Sequence, residues 1–234
     1  MIHYHGLRIS GTHRDNVEFA RNRHVLVSYM AKDVLELVCS VCSSFCIDNG
    51  AFSAWKSGTA VDWEGYAEWV REWHQHPRYD FALIPDVIDG GELDNKKLVL
   101  KYRKKFKDAV PIWHLHESLQ YLDVLCRTFP RVALGSSGQW ATPGTADWWV
   151  RINEAMEVAC DDRGRPRTRL HGLRMLSTKV FPRLPLASAD SCNAGINAGS
   201  KGRFGMYMPP KSSQRTTIIA SQIESVNSAC RWEK

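Results

Sequence analysis

Apolar and polar positions follow two periods along this chain. Short apolar runs over residues 24–29, 43–48, 80–86, 110–115, 131–136, 170–175 and 184–190 predict buried strands. Between them, apolar residues at helical spacing predict helices over 62–74, 93–106, 118–129 and 145–160. The clearest helix is 62–74, where Trp63, Tyr66, Trp69, Val70 and Trp73 share one face. Strand followed by helix, repeated, predicts a parallel sheet. With one more element, for which 203–208 is the candidate, the strands close into a (β/α)8 barrel of the TIM type; without it they form an open doubly wound sheet. The expected fold class is α/β, a compact and partly irregular barrel.

Three of the apolar runs end in an aspartate and a turn: Ile47-Asp48-Asn49-Gly50-Ala51-Phe52, Leu83-Ile84-Pro85-Asp86 and Ala187-Ser188-Ala189-Asp190. In an α/β barrel the carboxyl ends of the strands ring one pocket, so carboxylates far apart in sequence converge there. Asp48, Asp86 and Asp190 are therefore candidate active-site residues. Taken singly, an aspartate after a strand is more often a helix N-cap. After Asp190 the composition shifts to Asn193, Gly195, Asn197, Gly199, Ser200, Lys201 and Gly202, the signature of a loop.

Composition narrows the classes. With 234 residues and 44% hydrophobic content, the chain can bury one core, and a single domain over 1–234 is expected. A net charge of +6 is compatible with a polyanionic partner and does not establish one. No apolar run is long enough to span a bilayer, and the segment around His3, His5, Arg8 and Arg14 lacks a signal-peptide core. The expectation is a soluble cytoplasmic protein without membrane contact. Seven cysteines, an odd number, read as free thiols. Cys39, Cys42 and Cys46 are spaced for one helical face, where core packing is the expected role, since no histidine completes a zinc set.

The segments carrying the aspartates resemble the tRNA-guanine transglycosylases and their DNA-modifying relatives. Asp48-Asn49-Gly50-Ala51-Phe52-Ser53 is similar to that family's Asp-Ser-Gly-Gly-Phe-Gln turn, Val132-Ala133-Leu134-Gly135 to its Leu-Ala-Val-Gly strand, and Asp190-Ser191-Cys192 with the following loop to its Asp-Cys segment. The resemblance runs in element order from about Val25 to Arg203. It implies a (β/α)8 barrel that exchanges guanine for a 7-deazaguanine through a covalent enzyme–sugar intermediate. Residue by residue, it implies Asp190 as nucleophile, Asp48 as acid/base, Asp86 as reader of the guanine edge and Gly135 as backbone against the base. Three departures qualify it. The family's Cys-x-Cys-x-x-Cys zinc site is absent, so neither a metal nor another cofactor is expected. His114-Leu115-His116-Glu117 replaces its Gln-Gly-Gly, which makes His114 and His116 candidate substrate contacts. The short chain leaves little room for a tRNA-binding domain, so DNA is the expected polymer ahead of tRNA, with a preQ0-type 7-deazaguanine as the incoming base. If the protein is phage-encoded, it is expected to act in the host cytoplasm.

The chemistry is coherent without the family. A carboxylate traps the oxocarbenium character that develops when an N-glycosidic bond breaks, and a second one with a raised pKa handles the proton. A carboxylate also accepts from both N1 and N2 of guanine, a pairing adenine does not match. A base extruded from the duplex needs aromatic stacking, for which Phe52, Trp55, Trp113 and Trp140 are candidates. Lys201 and Arg203, with Lys211 and Arg215 beyond them, are candidate phosphate contacts; the lysines of 96–107 read as a solvated face or as part of a phosphate path. Two other readings stay open: a metal-dependent barrel hydrolase built on His114, His116 and Asp190, and a catalytically silent nucleic-acid-binding barrel. Oligomeric state is undetermined by the sequence.

Overall fold

A computed structural model describes residues 1–7, 12–199, 204 and 207–233. Its strands are β1 (Ile2–Gly6), β2 (His24–Ser28), β3 (Ser44–Asp48), β4 (Tyr79–Leu83), β5 (Ala109–Val110), β6 (Ile112–His114), β7 (Arg131–Gly135), β8 (Arg169–Gly172) and β9 (Ser188–Ser191). They form one sheet in the order β5-β4-β3-β2-β1-β9-β8-β7-β6, with every pairing parallel. The two ends, β5 and β6, are halves of one continuous strand divided by Pro111, whose missing N–H interrupts the ladder. The Val110 carbonyl accepts from Ile84 on one side and the Pro111 carbonyl from Ala133 on the other, at 2.8 and 2.9 Å, so this strand joins the sheet's edges. The expected α/β barrel is the observed architecture.

Helices fill the crossovers. The main ones are α1 (His13–Ala20), α2 (Asp33–Val38), α3 (Ala51–Ser57), α4 (Trp63–Trp73), α5 (Glu92–Tyr102), α6 (Leu119–Thr128), α7 (Ala146–Ala159), α8 (Asn193–Ile196) and α9 (Ser212–Glu224). Side-chain caps mark their starts: Asp62 on Gly65 N, Ser118 on Tyr121 N and Thr145 on Trp148 N. These caps satisfy amide groups that have no partner within the helix. Strand alternation then separates two cores. Tyr4, Leu26, Cys46, Phe81, Leu83, Val110, Ile112 and Ala133 fill the barrel, while Val25, Ile47, Trp69, Leu122, Trp148 and Ile152 pack between barrel and helices. No helix among the described residues is long and apolar enough to cross a membrane.

Two sequence expectations are corrected. The closing strand is β1, between β2 and β9, and not 203–208, of which only 204, 207 and 208 are described and none lies in a strand. β1 escaped the pattern because its outward positions, which should be apolar, are His3 and His5. Their rings instead reach the C-terminal segment, with Nε2 atoms 2.8 Å from the Val226 carbonyl and 2.9 Å from Glu224. Secondly, Cys39, Cys42 and Cys46 do not share a helix: Cys39 follows α2, Cys42 is buried in the turn after it, and Cys46 points into the barrel from β3.

Candidate active site

Period-2 alternation brings Ser28, Asp48 and Asp190 to the inward side at the carboxyl ends of β2, β3 and β9. With Asp86, just beyond β4, and His114, at the end of β6, they line a cavity of about 700 Å³. That size suits a nucleoside-sized ligand. All three predicted carboxylates are thus on one wall system, together with Phe52, Gly135 and Arg174.

Asp48 sits at the turn into α3. One of its oxygens accepts from the Gly50 amide at 3.1 Å, and the left-handed φ of Gly50, +79°, lets the chain turn directly into the helix. Burial pushes the Asp48 carboxyl up to about 7, with the charges of Asp190 and Asp86 adding to it and bonds from Ser28 and Gly50 opposing. A carboxyl poised there can both give and take a proton at neutral pH.

Asp86 is held on both oxygens. Asn49 Nδ2 donates to Oδ1 at 2.7 Å and also to the Ile84 carbonyl at 2.8 Å, tying the end of β3 to the end of β4. His114 Nε2 lies 2.8 Å from Oδ2. Burial works against a charged His114, but the hydrogen bond and charge of Asp86, with Glu117 behind, raise its pKa above the ordinary histidine value. Glu117 is itself buried, accepting from the His114 amide at 2.8 Å and from Asn95 Nδ2 at 2.9 Å. Gly135 lets the chain pass close beside this ring: a Cβ there would come 3.0 Å from His114 Nδ1 and 3.1 Å from Ile112 Cγ2.

Asp190 accepts from the Arg174 amide at 3.2 Å. Below it lies His171, with Nε2 3.3 Å from the same oxygen, out of line for a hydrogen bond, and Nδ1 2.8 Å from Ser188 Oγ. The neighbouring Cys192 thiol is pushed up to about 11 by burial and by the charges of Asp190 and Asp48. It is therefore a poor nucleophile at neutral pH, and the carboxylate is the better one at this position.

Several predicted contacts fall elsewhere. His116 does not line the cavity: β6 ends at His114, and the turn after it directs His116 to Ser137 Oγ at 2.8 Å and the Gly90 carbonyl at 3.0 Å. Both its nitrogens are engaged and His114 Nε2 is committed to Asp86, so the pair does not converge with Asp190 as a metal-ligand set. Among the described residues no three His, Cys, Asp or Glu side chains group as metal ligands. Of the stacking candidates, Phe52 lines the cavity and is partly exposed, with Trp55 beside it at 5.9 Å between ring centroids. Trp113 is fully buried and donates to the Ser118 carbonyl, and Trp140 packs in the helical layer. Lys201 and Arg203 lie outside the described residues. Arg215 is spent on carbonyls, donating to Ala198, Pro209 and Pro210 at 2.6 to 2.9 Å. Lys96, Lys101 and Lys105 pair with Glu92 and Glu64, as a solvated face does.

Sequence reasoning missed Asn49, His171 and Arg174. The first was read only as a turn residue. The other two sit on β8 and just after it, in a run with no carboxylate to draw attention.

Solved structures similar to this chain include variants of the tryptophan synthase alpha-subunit from the hyperthermophile Pyrococcus furiosus. Two of them align with TM-scores of 0.58, at 10% and 11% identity, over 96–97% of this chain and 97–98% of theirs. A third structure of that subunit aligns with a TM-score of 0.53 at 12% identity, over 96% of each chain. At this identity the likeness establishes the TIM barrel and leaves chemistry to the site itself. No protein-family model and no curated protein matches the chain.

Proposed function

We propose that the protein is a guanine transglycosylase that replaces guanine in DNA with a 7-deazaguanine derivative. The observation that carries the reading is the meeting of Asp48, Asp86 and Asp190 in one cavity, with Asp48 poised to exchange a proton near neutrality. The net charge of +6 is compatible with a polyanionic substrate.

In the first half-reaction an Asp190 oxygen attacks C1′ of the deoxyribose and the C1′–N9 bond breaks. Its electron pair leaves with guanine, and neutral Asp48 supplies the proton that the departing base needs. In the second, a preQ0-type base gives its N9 proton to the Asp48 carboxylate, N9 attacks C1′, and Asp190 is released unchanged. Two moderate barriers replace one high one. Asp86, fixed by Asn49 and His114, retains lone pairs for the N1 and N2 donors of the base. Phe52 offers a face for stacking at the mouth.

The test is mass spectrometry of nucleosides from DNA and tRNA of cells that express the protein and make a 7-deazaguanine precursor. Deazaguanosine in DNA that vanishes with Asp190→Ala is expected. Unmodified DNA and tRNA in the presence of abundant precursor would overturn the reading.

A further inference from the structure

Arg174 is a cation of the cavity that the proposed exchange does not use. It occupies a left-handed backbone conformation, φ +58°, shared among the described non-glycine residues only with Asn22 and Asp108, types that tolerate it. An arginine rarely adopts this conformation, so the surroundings must hold it there. They do so on three sides. Its amide donates to Asp190, one guanidinium nitrogen donates to the Ser136 carbonyl, and the guanidinium lies 4.3 Å above the Phe52 ring. No carboxylate pairs with it among the described residues, although it lines a cavity that holds three. Lys56, exposed on the same wall and also without an ion pair, is a second cation at the mouth.

The cavity therefore has an acidic floor and a basic rim. A ligand complementary to both carries hydrogen-bond donors at one end and an anion at the other. A flipped guanosine within a DNA strand has this polarity, with base donors pointing inward and phosphodiesters at the rim. We infer that Arg174, fixed against Phe52 and assisted by Lys56, binds a phosphodiester flanking the target guanosine, so that one residue positions both the Asp190 carboxylate and the strand it attacks. This inference rests on the proposed exchange reaction for its substrate. The fork of Arg174, still partly free after its bond to Ser136, suits bidentate contact with phosphate oxygens.

The experiment is fluorescence anisotropy with a labelled single-stranded DNA containing one guanosine, across a salt series, for wild type, Arg174→Gly, Arg174→Lys and the remote control Arg127→Gln. Glycine suits the left-handed backbone, so Arg174→Gly removes the guanidinium without adding strain; Arg174→Lys serves as a second variant if the first loses its fold. Arg174→Gly is expected to weaken binding about tenfold and to lower the salt slope by about one, with Arg174→Lys retaining the slope and Arg127→Gln behaving as wild type. A neutral methylphosphonate at one phosphate flanking the guanosine should weaken wild type to the same degree and Arg174→Gly no further. Wild-type affinity and slope in Arg174→Gly, or a methylphosphonate loss that persists in it, would overturn the inference. Incorporation of labelled guanine into the same DNA separates the two ideas. Arg174-dependent binding without exchange sinks the transglycosylase and keeps the phosphate site, exchange with Arg174-independent binding does the reverse, and absence of DNA binding sinks both.

Discussion

His114 Nε2 lies 2.8 Å from Asp86 Oδ2, with both side chains almost fully buried. A carboxylate oxygen only accepts, so the imidazole donates and its orientation is fixed. Asn49 holds the other oxygen. Asp86 is thereby locked with its remaining lone pairs available, a preorganised acceptor for paired N–H donors.

Asp86→Asn replaces one acceptor oxygen by a donor facing those N–H groups. Guanine and hypoxanthine differ in the N2 amine, so their affinity ratio isolates the contact. Calorimetry should show guanine preferred by about tenfold or more in the wild type and by about twofold in the variant, since an unpaired buried polar group costs roughly 1–3 kcal/mol. An unchanged ratio would mean that Asp86 is structural and that the base is read elsewhere.

Asp48 gives a pH prediction with a definite sign. Its folded pKa of about 7 lies above the ordinary value of 3.8, so the folded state holds this proton more tightly than the unfolded chain. That contribution is fully present below the unfolded value and is lost as pH rises through about 7. Asp48→Asn, which stays neutral, should leave stability little changed at pH 4 and raise it at pH 8 by at least about 1 kcal/mol, or some 2–4 °C in Tm. Thermal melts at the two pH values check it. The same variant should lose exchange activity at every pH, whereas wild-type activity should decline above neutrality as the acid form is depleted.

The barrel was legible because its strands are short apolar runs and its helices are amphipathic, and both signals are local. Asp48, Asp86 and Asp190 were legible because each closes such a run. What escaped depends on partners distant in sequence. β1 carries histidines where apolar residues are expected, and only the C-terminal segment that packs on them makes that tolerable. His116 stands beside His114 in the segment that replaces the family's Gln-Gly-Gly, but β6 ends at His114, one residue short of the apolar run, and the turn that follows sends His116 elsewhere. Arg174 had no signal of its own, since its placement depends on Phe52, Ser136 and Asp190, contributed by three other segments.

The seal of β1 supplies a stability prediction. Glu224, in the last turn of α9, accepts from His5 at 2.9 Å and from Arg23 at 3.1 Å, and both partners are mostly buried. The hydrogen bond from His5 leads the effects that lower the Glu224 pKa below its usual value, outweighing burial, with the charges of His5 and Arg23 helping. Its contribution is therefore present above the unfolded carboxylate value of 4.5 and fades as pH falls through the lowered folded value. Glu224→Gln should cost about 1 kcal/mol at pH 7, a figure kept small because the carboxylate is one-third exposed. The cost should shrink on acidification. Urea unfolding at pH 7 and pH 3.5 measures it, and an equal loss at both would assign the effect to packing.

His171 is the strongest case of a residue acting through another. It is fully buried, edge-on to Tyr4 and Phe81, with Nδ1 on Ser188 and Nε2 3.3 Å beneath Asp190. Nε2 makes no hydrogen bond in this arrangement, so the ring supports the Asp190 carboxylate by contact rather than by binding it outright. His171→Phe keeps an aromatic ring at the site, at a somewhat larger volume, and removes both nitrogens, leaving Ser188 Oγ without its ring partner. The expected outcome is a fold that persists with a loss of about 1–3 kcal/mol, because the larger ring must be accommodated and one buried hydrogen bond is lost. On the proposed reaction, turnover in labelled-guanine exchange should fall by about tenfold, since a displaced Asp190 forfeits near-attack geometry, with the KM for the free base unchanged. Burst kinetics would place the loss in formation of the covalent DNA adduct. A rise in KM with turnover intact would instead assign His171 to the shape of the base pocket and leave Asp190 held by the Arg174 amide alone.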